Sequence, residues 1–312
     1  MIDFRYHLVS IVAVFLALGI GILMGSLVLG EALVKQLRSD LEGIEDRNDR
    51  LRAETLQLSQ QLEDNEQFAL DVRPYLIEGR LDTERVVLFV FEGTDGGMVD
   101  QLRDAITDSG GVVATTVTLR DKLAVTSPAE RDELGLLLDV TTASASELQN
   151  ATATRLGSSF ATAAESPAGL AAARSALDEL VRALEDAGYI DVDGAEDQPL
   201  APPNAVFVVA GGAGEQPAYD VTEVAVPLAR ELPSEAAGVV AAETSSSSWE
   251  LVEAIRNDTD TNASVATVDQ AESISGGIGV VMALDLAENG TVRHIGTASG
   301  SEGIIPIPTA SP

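Results

Sequence analysis

Residues 8–30, LVSIVAVFLALGIGILMGSLVLG, form an apolar run without a single charge. At 1.5 Å per residue a helix of this length reaches about 34 Å, enough to cross a hydrocarbon core of about 30 Å with slight tilt. A cleaved secretory signal would have a shorter apolar core, about 7–15 residues, ending at a small-residue cleavage site. GSLVLGEALVKQL offers neither that site nor a turn cluster. The run therefore predicts a transmembrane signal-anchor over 1–30, with Arg5, Tyr6 and His7 placed as interfacial anchors. Within it Ala13, Ala17, Gly21 and Gly25 recur every fourth residue. Small residues on one stripe let two helix backbones approach closely, and Gly21–Gly25 is a GxxxG pair. Common use of Ala and Gly in membrane helices would account for the stripe equally well.

A heptad pattern follows at once. Val34, Leu41, Asn48, Thr55, Leu62 and Ala69 fall at a positions, and Leu37, Ile44, Leu51, Leu58 and Asn65 at d. Spacings of 3 and 4 alternate without a slip, which predicts a parallel coiled-coil homodimer over 31–72. Leucine predominates at d, and Asn48 at a would pair its amide with its mate and so fix register. The expected dimer contacts are Ala17, Gly21, Gly25, Leu37, Leu41, Ile44, Asn48, Leu51, Leu58 and Leu62. A helix over 34–69 would hold the rest of the chain about 50 Å from the bilayer. Pro74 marks its expected end, and 73–84, RPYLIEGRLDTE, reads as a connector.

Beyond the connector the pattern changes to short apolar strands alternating with helical segments. Strands are expected at 85–91, 112–119, 205–210, 238–243 and 264–268. Helices are expected at 98–106, 128–138, 145–156, 167–187, 221–231, 249–255 and 276–288, the last capped by Asn289–Gly290. Alternation of this kind predicts a mainly parallel, Rossmann-like α/β domain over 85–303. QPLAPPN, 198–204, reads as a surface loop and 304–312 as a loose tail. The tract 141–200 is rich in Ala, Ser, Thr and Glu.

Two glycine turns follow strands, EGTDGGM at 92–98 and VVAGGAGEQP at 208–217. Neither matches G-x-G-x-x-G or a P-loop, and Glu92, Asp95 and Glu215 would repel phosphate. Their glycines are expected to serve strand-to-helix geometry. The formal net charge is −31. Residues 81–312 carry most of it, with 11 basic against 37 acidic side chains. Such a surface repels nucleic acid and anionic lipid. Lys35 and Lys122 are the only lysines, a bias suggesting adaptation to salt or a GC-rich genome.

Cysteine is absent, which removes disulfides, thiolate metal sites and a cysteine nucleophile. His7 and His294 lie at opposite ends of the chain, and Met24, Met98 and Met282 have the spacing of core or membrane packing. No metal ligand can be assigned. Ser245–Ser248 would have to recruit His294 for a triad with no local support, so no catalytic residue, cofactor or enzymatic activity is expected. Four N-x-S/T sequons, at Asn150, Asn257, Asn262 and Asn289, are the number chance gives in a chain this rich in Ser and Thr.

The opening MIDFRYHLVSIVAVFLALGIGILMGS resembles the N-terminus of the actinobacterial MctB-like family of copper transporters. The C-terminal VDQAESISGGIGVVMALDLAENGTVRHIGTASGSEGIIP is similar to that family's closing motif, a glycine-containing helix followed by a G-H-Y-G-like turn. Here the turn reads Arg293-His294-Ile295-Gly296 and lacks the aromatic residue. The resemblance implies a single-pass protein of the cytoplasmic membrane with its coil and C-terminal domain outside the cytoplasm. Charge alone points the other way, since Arg5 precedes the run while Lys35, Arg38, Arg47 and Arg50 follow it. The resemblance also implies a role in copper homeostasis, sometimes described as an outer-membrane channel. One apolar helix cannot line a pore alone, and the distal strands lack the alternation of a membrane barrel. A second expectation is a coiled-coil scaffold or activator of cell-wall hydrolases in cell separation, to which family members have been linked. It would need an envelope protein partner.

Overall fold

The computed structural model describes residues 4–141, 144–165, 171–194, 198–212, 214–233 and 237–305. The chain divides into two compact units, Met1–Gln67 and Phe68–Pro312. Within the first runs most of one long helix, α1 (Phe4–Ile77). Its segment Arg5–Gly25 has a mean hydropathy of 2.6 and is long and apolar enough to cross a membrane. Past it, Val34, Leu37, Leu41, Ile44, Leu51, Leu58 and Leu62 remain at least half exposed in the single chain.

The helix does not stop at Pro74. It continues to Ile77, and Glu78 N–H closes its last turn onto the Pro74 carbonyl (3.0 Å). A proline so near a C-terminus forfeits one hydrogen bond. Burial of Ile77 and Leu81 outweighs that loss, so the expected connector is part of the core of the second unit.

That unit is built on one seven-stranded sheet in the order β3-β2-β1-β4-β5-β6-β7. The strands are β1 (Arg85–Phe91), β2 (Val112–Leu119), β3 (Ile190–Gly194), β4 (Val206–Gly211), β5 (Val239–Glu243), β6 (Ala266–Asp269) and β7 (His294–Ile295). All neighbours are parallel except β2 and β3. The central strands β1 and β4 are almost continuously apolar because both sheet faces are covered.

Alternate residues choose the layer. Val86, Leu88 and Val90 point to α2 (Gly96–Asp108) and α9 (Ile274–Glu288), together with the end of α1. Val87, Phe89 and Phe91 point to the other face. There they meet α3 (Pro128–Leu138), α4 (Ala145–Ala164), α5 (Ala171–Asp186), α6 (Thr222–Glu231) and α7 (Leu251–Asn257). Phe89 sits edge-on to Phe160 of α4, ring centroids 5.0 Å apart. Capping boxes fix the starts of α3 and α4, with Ser127–Glu130 and Ser144–Glu147 satisfying each other's backbone.

The α/β expectation holds, with differences in detail. β3 was not foreseen: its sequence IDVDG lies on an exposed edge and carries acids at alternate positions. Helix α4 runs eight residues past its expected end. Ala201 and Pro202 of the expected surface loop are buried, Ala201 against the core of the α3–α7 face. The tail from 306 onward lies outside the described residues.

Candidate functional site

Open parallel sheets place ligands beyond the carboxyl ends of their strands, at the point where strand order reverses. Here that point lies between β1 and β4, where the two glycine turns emerge. They fill the crevice themselves. A side chain at Gly93 would meet the Glu215 carbonyl at 1.9 Å, and one at Gly214 would meet the Gly93 carbonyl at 1.5 Å. Asp95 accepts the Met98 N–H (2.9 Å) as the N-cap of α2, and Glu92 accepts the Asp121 N–H (2.6 Å). Glu92 and Asp95 are committed to local structure, Glu215 is exposed, and the two backbones approach too closely to leave a cradle between them.

Polar groups gather instead two strands away, at the carboxyl ends of β5 and β6. Glu243 and Asp269 each end a strand and stand directly opposite one another in the register. Both are buried, as is Arg256 on α7. Arg256 Nη1 donates to Asp269 Oδ2 (2.7 Å) and to the Ser299 carbonyl (3.1 Å), and Nη2 donates to the Ile295 carbonyl (3.2 Å). Asp269 Oδ1 accepts the backbone N–H groups of Thr297 (2.7 Å) and Ala298 (3.1 Å). The loop that follows β7 is thereby tied to the sheet.

A closed ring of hydrogen bonds runs beside this pair. Arg256 Nε donates to Thr267 Oγ1 (2.8 Å), which lies 3.0 Å from His294 Nδ1, and His294 Nε2 lies 3.0 Å from Asn262 Oδ1. Asn262 Nδ2 donates to the Arg256 carbonyl, so its Oδ1 must accept. His294 therefore carries its proton on Nε2, and its Nδ1 lone pair takes the Thr267 hydroxyl. Burial, aided by the Arg256 charge, holds the imidazole below its ordinary pKa. A neutral ring with both nitrogens engaged serves this network and has no lone pair free for a metal.

Between these groups and the loop lies a cavity of about 300 Å³. Glu243, Thr244, Arg256 and Asp269 form its floor, Thr297–Ser299 one wall, and Glu250 and Glu253 its rim. Glu243 Oε2 accepts the Val252 N–H (2.9 Å), while Glu243 Oε1 and Thr244 Oγ1 are buried without a hydrogen-bond partner. The sequence reading missed this site. Its only local signal was an acid closing each of two apolar strands, GVVAAE and SVATVD.

The residues singled out from sequence lie elsewhere. Ala17, Gly21, Gly25, Leu37, Leu41, Ile44, Asn48, Leu51, Leu58 and Leu62 all lie on α1, with open space around the glycines. Met98 and Met282 are packed in the core on the α2–α9 face, and Met24 lies exposed in the apolar segment. Among the described residues no group of three or more His, Asp or Glu side chains is placed to hold a metal ion.

A long N-terminal helix with a membrane-compatible segment, joined to a doubly wound α/β unit, defines the class of protein. The sequence profile of the family described as "Copper transport outer membrane protein, MctB" matches residues 1–306, and the chain belongs to that family. It is similar to proteins named "Copper transporter MctB" from Mycobacterium bovis and Mycobacterium tuberculosis. Identity to each is 27% over 314 aligned positions, covering 96% of this chain and 98% of the relative. The closing sequence 268–306, one of the two stretches on which the family resemblance rests, supplies Asp269, His294 and the Thr297–Ser299 wall of the cavity.

Proposed function

We propose that this chain is a single-pass, dimeric envelope protein acting in copper homeostasis, with copper as cargo rather than as a resident cofactor. The family match across residues 1–306 carries this reading, because it includes the anchor, the heptads and the closing motif together. The membrane-compatible segment Arg5–Gly25 supports an anchor in the cytoplasmic membrane, with the α/β unit outside the cytoplasm as the resemblance implies. Exposed leucines at heptad spacing support a parallel coiled coil, since a single chain gains nothing by leaving that stripe in water. Deleting the gene from its host should lower copper tolerance, and complementation should restore it. Unchanged tolerance in the deletion strain would overturn the proposal.

The same stripe favours a second reading, a non-catalytic scaffold or activator for cell-wall hydrolases. An anchored coil sets reach, and the acidic α/β unit would receive a partner on its surface. On this reading the deletion strain grows as unseparated cells with normal copper tolerance, and a peptidoglycan hydrolase co-purifies with the full-length protein.

A further inference from the structure

We propose that the cavity between Glu243, Thr244 and the Thr297–Ser299 loop binds a small polar molecule carrying an ammonium or guanidinium group. The inference rests on two buried acceptors left over after every local bond has been made. Glu243 is 6% exposed and Thr244 3% exposed, and Glu243 Oε1 and Thr244 Oγ1 have no partner. A buried carboxylate oxygen without a donor is costly, so the site is built for a donor that arrives from outside.

The charge of that donor follows by elimination. An anion would need Arg256, yet this guanidinium is neutralised by Asp269 and spends its donors on Thr267, Asp269, Ser299 and Ile295. A divalent metal would need about six oxygen ligands. Both Asp269 oxygens are taken by Arg256 and by the Thr297 and Ala298 N–H groups, and Glu243 Oε2 is taken by Val252. Among the described residues no group of three or more His, Asp or Glu side chains is placed to hold a metal, and among the buried groups one carboxylate oxygen and one hydroxyl remain. They suit two N–H donors of a cation, and charge-assisted hydrogen bonds of this kind are the strong ones. Exposed Glu250 and Glu253 at the rim add negative potential that draws cations in. The volume lies at the small end of ligand pockets and suits a small amine.

The test is calorimetric titration of the full-length protein in lipid nanodiscs with ethanolamine, putrescine and agmatine. Calcium chloride, sodium phosphate and glucose serve as comparison probes. Saturable binding of at least one amine is expected, with none of the comparison probes competing for it. Glu243→Gln and Thr244→Val should each weaken binding at least about tenfold, the loss expected for one charge-assisted hydrogen bond. Thr244→Ser, which keeps the hydroxyl, should bind as the parent does. Circular dichroism identifies any variant that fails to fold, and the Val/Ser contrast at position 244 decides the matter if Glu243→Gln is lost. Absence of saturable amine binding would overturn the proposal and leave a site filled by water. Amine binding indifferent to both positions, or calcium or phosphate binding that Glu243→Gln abolishes, would overturn it as well. The outcome is independent of whether the chain acts on copper.

Discussion

Arg256 and Asp269 bear the heaviest local burden in the α/β unit, because each would be a buried, uncompensated charge without the other. Their side chains are 5% and 9% exposed. Removing one partner of such a pair typically costs about 3–5 kcal/mol, whereas removing both for apolar groups of similar volume costs far less. Arg256→Met and Asp269→Leu are therefore each expected to lower the urea midpoint strongly, and the double variant less than the two single losses combined. A double-mutant cycle on urea denaturation measures the coupling. None of this pairing was legible in the sequence. Glu243, Arg256, Asp269 and the segment from His294 to Ser299 come from four separate stretches and meet only because β5, β6 and β7 are neighbours in register.

At the scale of the element, Gly157 sets how closely α4 and α6 approach. A side chain there would lie 2.8 Å from both the Leu228 carbonyl and Glu231 Cβ. Gly157→Ala gains about 1 kcal/mol of helix propensity but overpacks the crossing by about 1–3 kcal/mol. A net loss of stability, read as a lower urea midpoint, is expected. The heptad stripe yields another expectation. If Leu51 and Leu58 meet a partner chain, Leu51→Ser with Leu58→Ser should shift the full-length protein from dimer toward monomer by light scattering, leaving the α/β unit's unfolding midpoint unchanged. Continuous apolar runs and a capped helix start were readable from residues alone, as β1, α9 and α3 illustrate. β3 was not, since acids on a solvent-facing edge carry no apolar signal, and Pro74 misled because tertiary burial of Ile77 overrode a local helix breaker.

Across the whole molecule two titrating groups pull stability in opposite directions with pH. Burial, reinforced by the nearby Glu84 charge, pushes the Glu288 carboxyl up to about 8. The folded state then binds more protons than the unfolded one between about 4.5 and about 8, so stability falls as pH rises through that window. His294 behaves oppositely. Its folded-state pKa lies below the ordinary 6.5, so its contribution is complete above that pH and is lost as pH falls below it. Thermal melts from pH 5 to pH 9 should show Glu288→Gln more stable than the parent at the alkaline end. His294→Gln should show a shallower decline at the acidic end. A parental profile unchanged by either substitution would remove these groups as its source.

The hydrogen bonds from Arg256 and Asp269 to residues 295–299 have a consequence for how the protein is made. A chain cut short before Thr297 would retain both charges in its interior while losing the carbonyl and amide groups that satisfy them. Products terminated there would thus hold a buried ion pair short of its amide donors and one carbonyl, and proteases would meet them as less stable chains. The loop 295–299 thus makes the settling of two interior charges wait on residues that leave the ribosome after the sheet they serve.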